Sequence, residues 1–162
     1  MTTDVTISAA VVEDAAQILT LQRLAFQSEA ALYDDYAIPP LTQTLEQLVA
    51  EFDTHLILKA ITDKRIVGSV RGRMKEASCS IGRLMVHPTY QGRGIGKMLM
   101  AAIEACCAAE RYEIFTGERS AANLHLYCAI GYREFQRTTI SPKVTLVYME
   151  KQRALSQENG ST

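Results

Sequence analysis

The sequence lacks an excess of charge of either sign. Its 162 residues include 17 Lys and Arg against 18 Asp and Glu, which gives a formal net charge of -1. A basic nucleic-acid-binding surface needs Lys and Arg in clustered excess, because it must neutralise backbone phosphates. We therefore expect no nucleic-acid partner.

Long apolar runs are absent as well. No stretch approaches the roughly 20 residues that a membrane-spanning helix requires. The first four residues, Met-Thr-Thr-Asp, lack the basic and apolar regions of a signal peptide. These absences predict a cytoplasmic protein without a membrane partner.

Cysteine and histidine are scarce, with four and three residues. Cys106 and Cys107 are neighbours that cannot easily bridge each other, and Cys79 and Cys128 lie far from them without Cys-x-x-Cys spacing. We expect reduced, mostly buried thiols. The histidines show no metal-ligand spacing with each other or with the cysteines, so we predict no metal.

Apolar residues make up 48% of the chain, enough for one well-buried core in a chain too short for two ordinary domains. We predict a single domain over residues 1–151 and a polar C-terminal tail over residues 152–162.

A glycine-rich turn is the most informative stretch. The apolar residues 84–86 lead through His87 and Pro88 to glycines at 92, 94 and 96, and an amphipathic helix is predicted directly afterwards. Glycines let a ligand approach the backbone closely, and the first free N–H groups of a helix attract anions. Arg93 and Lys97 add full positive charge, which favours a pyrophosphate.

Two common phosphate-binding motifs do not fit this spacing. After Gly92 and Gly94, the dinucleotide fingerprint requires its third glycine where the sequence has Lys97. The nucleoside-triphosphate loop requires four residues between its glycines and Ser or Thr after the lysine, but Gly92 and Gly96 enclose three residues and Met98 follows. A nucleotide-binding phosphotransferase is therefore a disfavoured alternative.

The pattern resembles the acetyl-CoA loop of the GNAT N-acetyltransferase superfamily, Gln/Arg-x-x-Gly-x-Gly/Ala, which Gln91, Gly94 and Gly96 match. A second stretch, Asn123 to Tyr132, resembles the GNAT segment that places an asparagine before Leu-Tyr and ends in Gly-Phe/Tyr. In relatives the asparagine binds the pantetheine arm or an ordered water, and the tyrosine protonates the departing thiolate. These roles fall on Asn123 and on Tyr127, the predicted catalytic residue.

On this resemblance, a backbone N–H near Met85 or Val86 would polarise the thioester carbonyl. The predicted cofactor is acetyl-CoA (coenzyme A), and its predicted binding residues are Leu84, Met85, Val86, Gln91, Gly92, Arg93, Gly94, Ile95, Gly96, Lys97, Asn123 and Tyr127.

The predicted fold is α/β with a mixed sheet, in the GNAT order β-α-α-β-β-β-α-β-α-β-β. Hydrophobic patterns and turn residues predict strands over 5–12, 55–62, 66–74, 78–86, 112–116, 132–140 and 144–151. Helices are predicted over 13–27, about 44–52, 94–110 and 121–130. Arg71, Arg73 and Arg83 suggest one wet face of the sheet. The resemblance implies that the fourth and fifth strands splay apart. Separately, the closing hairpin could pair across a homodimer.

The residue that removes the proton of the amine is the open point. Many relatives place a Glu in the fourth strand, at the position that Ser80 occupies here. A water chain or another carboxylate must then serve, and the candidates are Glu118, Glu29, Asp34 and Asp35. Residues 28–40 form an acidic, aromatic segment between two helices, where Pro39-Pro40 should end any helix. It could receive a cationic amine, or it could be a solvated loop whose tyrosines pack on the core.

These observations predict an N-acetyltransferase that transfers acetyl from acetyl-CoA directly to a primary amine in a ternary complex. The alternative is a non-catalytic module that senses acyl-CoA. The acceptor would be a polyamine, an aminoglycoside-like molecule or a peptide amine. Its predicted contacts are Glu29, Tyr33, Asp35 and Glu118.

Overall fold

The computed structural model describes residues 4–153, and their fold is built on one mixed sheet of seven strands. The strands are β1 (Thr6–Ala9), β2 (Leu56–Thr62), β3 (Arg65–Lys75), β4 (Ser78–Val86), β5 (Arg111–Gly117), β6 (Arg133–Ser141) and β7 (Val144–Gln152). Their spatial order is β1-β2-β3-β4-β5-β7-β6. This confirms the predicted mixed α/β fold, in which β2, β3 and β4 form an antiparallel meander.

The helices cover both faces of the sheet. They are α1 (Ala15–Ala25), α2 (Gln27–Tyr33), α3 (Pro39–Thr42), α4 (Leu45–Glu51), α5 (Ile95–Cys106) and α6 (Ala121–Ala129). Ile57 of β2 packs with buried residues of α1 and α4, whereas its neighbour Leu58 packs with α5. Because successive side chains of a strand point to opposite faces, α1 and α4 lie on one side of the sheet and α5 on the other.

The adjacent strands β4 and β5 are parallel and pair at one end only. Residues 78–80 of β4 are in register with residues 111–113 of β5. Beyond that point β4 continues along β3, while β5 continues along β7. The two strands therefore separate toward their C-terminal ends, as the family resemblance implied.

The starts of α4 and α6 differ in how their side chains are used. Thr44 begins α4 with a reciprocal capping box, in which its Oγ1 accepts from Gln47 N at 3.1 Å and its own N–H donates to Gln47 Oε1 at 2.9 Å. Ser120 lies at the N-cap of α6, but its hydroxyl makes no capping bond.

The acidic segment over residues 28–40 is helical at both ends, and only residues 34–38 lie outside the helices. Residues 27–33 form α2, because Ala30 and Tyr33 recur at helical spacing and bury one face. The expectation that Pro39-Pro40 ends any helix is wrong, since Pro39 instead begins α3. Proline suits the first turn of a helix, where its missing N–H has no intrahelical partner.

Three further expectations need correction. The helix α5 ends at Cys106, not Glu110, since the chain turns there toward β5. The thiols are free, but only Cys79 and Cys107 are buried, while Cys106 and Cys128 are exposed. Arg71 does not lie on a wet face, because it is 2% exposed and bonded to side chains of other elements.

The described residues end shortly after β7, so most of the predicted tail lies outside them. In residues 4–153, no helix combines the length and the apolarity needed to cross a bilayer. Strand β6 is an edge of the sheet, and its pairing across a homodimer stays a prediction.

Candidate active site

The widening gap between β4 and β5 holds a cavity of about 1070 Å³, which we call the larger cavity. Its walls are residues 80–84 of β4, residues 114–117 of β5, α2 with the segment that follows it, and the turn between β6 and β7. Asn123 and Tyr127 of α6 line it too. Its volume is ample for a small-molecule ligand.

A second cavity of about 370 Å³, the smaller cavity, lies beside the glycine-rich turn. Most of the predicted cofactor-binding residues line it, namely Leu84, Met85, Val86, Gln91, Gly92, Gly94, Ile95, Gly96 and Asn123. Gly92 and Gly94 have φ of 78° and 80°, the left-handed region that favours glycine. Gly94 is the N-cap of α5, so the first free N–H groups of this 12-residue helix lie at this turn.

The charged residues of the turn lie outside this lining. Arg93 and Lys97 are exposed. The Arg93 guanidinium carbon stands 4.9 Å from the centroid of the Tyr90 ring, and the Tyr90 hydroxyl donates to Asp63 at 2.9 Å. Both cations are therefore exposed at the turn. Their charge would add to the attraction of the helix N-terminus for a phosphate group.

Four residues line both cavities: Phe26, Glu29, Leu84 and Asn123. Two ligands, one in each cavity, would therefore meet at the carboxylate of Glu29. Sequence reasoning placed Glu29 among several candidates, and its position on α2 singles it out.

The Glu29 carboxylate is held by hydrogen bonds that it accepts from α6. Ser120 Oγ donates to Glu29 Oε2 at 2.6 Å, and Asn123 Nδ2 donates to Glu29 Oε1 at 3.3 Å. Behind Ser120, the Tyr33 hydroxyl lies 2.7 Å from the serine oxygen and accepts from the Arg119 N–H at 2.9 Å. Since the serine proton goes to Glu29, the tyrosine proton must go to Ser120. This chain of donors orients Glu29 as an acceptor.

The other tyrosine of interest, Tyr127, faces the larger cavity from α6. It is only 3% exposed, and its hydroxyl makes no hydrogen bond within residues 4–153. Burial, and secondarily the negative charge of Glu29, raise the pKa of Tyr127 above that of an ordinary tyrosine. The hydroxyl therefore keeps its proton at neutral pH.

The remaining predicted site residues divide between cavity and surface. Tyr33, Asp35 and Ser80 line the larger cavity. Glu118 does not, because it is exposed and pairs with Arg137 at 3.3 Å. Asp34 is largely exposed, near Lys143.

Sequence reasoning grouped the three arginines on one face of the sheet but did not assign them to the site. Arg83, Arg73 and Arg71 line the larger cavity, and so does His55 at the start of β2. Burial lowers the pKa of His55. Alternation along β3 signalled that the arginines share a face, but it could not say that this face lines a cavity.

The buried cysteines give no sign of a covalent mechanism. Burial raises the pKa of Cys79 to about 12, and burial also raises that of Cys107 beside it. A reactive cysteine needs a lowered pKa, because the thiolate is the nucleophile. These two thiols are structural.

The family can now be assigned. A family model described as "Acetyltransferase (GNAT) domain" matches residues 27–153. The chain belongs to the GNAT acetyltransferase family. The match includes all predicted cofactor-binding residues and the cavity-lining residues from position 27 onward. A comparison with curated proteins found no match.

Solved structures share the fold of this GNAT domain at low sequence identity. The PaiA N-acetyltransferase of Thermoplasma acidophilum, solved in complex with coenzyme A, superposes with a TM-score of 0.79 at 17% identity, over 93% of this chain and 99% of that one. The ribosomal-protein-S18-alanine N-acetyltransferase of Escherichia coli gives 0.77 at 15% identity, over 96% and 98%. The putative acetyltransferase yncA of Salmonella typhimurium, solved with acetyl-CoA, gives 0.72 at 18% identity, over 92% and 94%.

Proposed function

We propose that this GNAT domain is an N-acetyltransferase that transfers acetyl from acetyl-CoA to a primary amine of a small molecule or peptide. The observation that carries the proposal is the meeting of the two cavities at Glu29 and Asn123, with the protonated Tyr127 hydroxyl facing the larger one. One cavity would take the cofactor and the other the amine. The reaction would then occur where they meet.

The residues of the smaller cavity fit coenzyme A. Two glycines in the left-handed region expose the backbone at the start of α5, with no Cβ within 4 Å of other atoms if one were built there. The smaller cavity follows residues 84–86 of β4, where β5 offers no pairing partner. The diphosphate would lie on residues 91–97, and the amide-rich pantetheine arm along β4. Bound acetyl-CoA supplies the thioester that acylates the amine.

Glu29 is the proposed proton acceptor for the amine. A lysine-like amine costs roughly 4 to 5 kcal/mol to neutralise at pH 7, given a pKa of about 10.4. A carboxylate fixed by donated hydrogen bonds can take that proton as the new bond forms. Ser80 lines the same cavity but has no acid-base function at neutral pH.

Tyr127 is the proposed proton donor to the departing sulfur. Its raised pKa keeps the proton on the phenol oxygen until the thiolate develops. The acetyl group would pass directly between the two ligands without an acyl-enzyme. The inert state of the buried thiols supports this.

The test is a screen of primary amines for release of coenzyme A thiol from acetyl-CoA. We expect Tyr127→Phe to lower kcat about 100-fold or more, with unchanged affinity for coenzyme A by calorimetry. Tyr148→Phe is the matched control, since Tyr148 packs against Phe115 and Phe135 and lines neither cavity. Binding of acetyl-CoA without thiol release on any amine would favour the sensing module instead.

A further inference from the structure

The larger cavity carries balanced charge that is divided between structural elements. Three carboxylates line it from the helical side, those of Glu29, Asp35 and Glu51. Three guanidinium groups line it from the sheet, those of Arg71 and Arg73 on β3 and Arg83 on β4. A ligand of this cavity would therefore meet negative charge from one layer and positive charge from the other.

Arg71 already has its partners inside the protein. Its Nη1 donates to Glu51 Oε1 at 3.3 Å and to Gln43 Oε1 at 3.2 Å, and its Nη2 donates to Gln22. This group is neutralised in the fold and needs no ligand.

Arg83 is different, because within residues 4–153 its side chain makes no direct hydrogen bond or salt bridge, and only the charge of Glu51 acts on it from a distance. Its Nε is buried without a partner, as is that of Arg71, but the Arg83 residue as a whole is only half-buried and faces the larger cavity. Arg73 also lines the cavity, is exposed, and likewise has no carboxylate partner in the described part of the chain. Glu51, the carboxylate whose charge acts on Arg83, is already bonded to Arg71. Because the Arg83 guanidinium is also partly desolvated, an anion bound beside it would be favourable.

The backbone at Arg83 adds to this argument. Its φ is 51°, at a break in the register between β3 and β4. Residues other than glycine seldom adopt this left-handed region. An arginine is thus kept at a position that favours glycine, and the break turns its side chain away from the ordinary alternation of the strand.

We propose that Arg83, assisted by Arg73, binds a carboxylate of the acceptor, so that the acceptor is an amine that also carries a carboxylate. The inference rests on the proposed function and names the substrate class of that site. The planar guanidinium fork matches a carboxylate in a bidentate geometry. The amine end of the same molecule would lie toward Glu29.

Charge balance separates this class from the other acceptors considered. A zwitterion adds no net charge to a cavity whose three carboxylates and three guanidiniums already cancel. A polyamine would bring uncompensated positive charge beside Arg83, which Coulomb repulsion disfavours. Amino acids, ω-amino acids and short peptides with a free carboxylate fit, whereas polyamines do not.

The test compares amines in pairs that differ only at the anion. Each amino acid, ω-amino acid or dipeptide is assayed beside its carboxamide, with thiol release as the readout. We expect the best acid to exceed its amide about tenfold or more in kcat/KM, mainly through KM, because the amide cannot form the charged bidentate pair. Arg83→Met should collapse this ratio toward one, and Arg83→Lys should keep part of it. Arg133→Met is the control, since Arg133 is exposed on β6 outside both cavities and should leave the ratio unchanged.

Several outcomes overturn the proposal without touching the proposed function. Amides or polyamines that turn over as well as the acids would do so, as would an acid-to-amide ratio that Arg83→Met leaves unchanged. If Arg83→Met does not fold, the wild-type ratio and Arg83→Lys decide. If no amine releases thiol, the proposed function fails instead. The carboxylate site is then judged by calorimetric titration of the same acid and amide pairs into the coenzyme A-loaded protein, where equal binding or none overturns it.

Discussion

The Ser120 hydroxyl donates a 2.6 Å hydrogen bond to Glu29 Oε2, and thereby joins the start of α6 to α2 across the mouth of the β4–β5 gap. Ser120 is 91 positions away from Glu29 in the chain. The bond explains why the serine does not cap its own helix. It also fixes the carboxylate at the point where the two cavities meet.

Replacing Glu29 by Gln removes the proposed proton acceptor while keeping its shape. We expect kcat/KM for the amine to fall about 100-fold. The difference in kcat/KM between Glu29→Gln and the wild type should narrow as the pH approaches the pKa of the acceptor amine, since more of the amine is then already neutral. Rates across a pH series measure this. Glu46→Gln, an exposed substitution on α4, is the control. If Glu29→Gln were as active as Glu46→Gln, Glu29 would not be the proton acceptor.

The raised pKa of Tyr127 fixes the alkaline side of the pH profile. In the proposed mechanism Tyr127 acts with its proton on, so loss of that proton would lower kcat as pH rises through the pKa of Tyr127. An ordinary tyrosine has a pKa of about 10, and burial, together with the Glu29 charge, moves that of Tyr127 upward. We therefore expect no fall in kcat between neutral pH and about pH 10. A fall in this window that disappears in Tyr127→Phe would contradict the assignment.

Much of the fold can be predicted from local patterns in the sequence. The strand predicted over 78–86 has those bounds in the structure, because a turn at one end and Pro88 near the other delimit it. The turn residues Asp63 and Lys64 take positive φ, as a tight hairpin between β2 and β3 requires. Local signals of this kind need no knowledge of distant residues.

The charges of the site could not be predicted in the same way. The partners of Arg71 come from α1, α4 and the residue that follows α3, up to 49 positions away, so no periodicity reveals that this arginine is buried. The register break at Arg83 cannot be recognised from the alternation of apolar and polar residues along β4. The same holds for Glu29. It was one of four acidic candidates that the sequence could not distinguish, and its position on α2 singles it out.

Gly117 is required by the close approach of the Tyr33 ring. A Cβ at Gly117 would lie 2.0 Å from the Tyr33 hydroxyl oxygen and 2.3 Å from Cζ. The ring cannot yield freely, because its hydroxyl is bonded to Ser120 and Arg119. We expect Gly117→Ala to lower the free energy of unfolding by about 1 to 3 kcal/mol and to lower activity by displacing α2.

The Gly117 prediction is checked by chemical denaturation and a double-mutant cycle. Gly82→Ala is the control, since its Cβ would meet nothing within 4 Å. Tyr33→Leu removes the ring atoms that clash, so the double variant should lose less stability than the two single variants together. Additive losses would place the cause outside this contact.

Gly96 separates a requirement of the fold from a requirement of the ligand. Its backbone does not lie in the left-handed region, and a Cβ would meet only ordinary contacts, with Leu126 Cδ2 at 3.5 Å the nearest. Alanine should therefore leave the fold intact or stabilise it by up to about 1 kcal/mol, because alanine is the better helix former. That Cβ would also stand in the smaller cavity, where the diphosphate of coenzyme A is proposed to contact the backbone. We expect Gly96→Ala to keep the melting temperature and to weaken coenzyme A binding in calorimetry. Unchanged affinity would mean that the cofactor does not approach the first turn of α5.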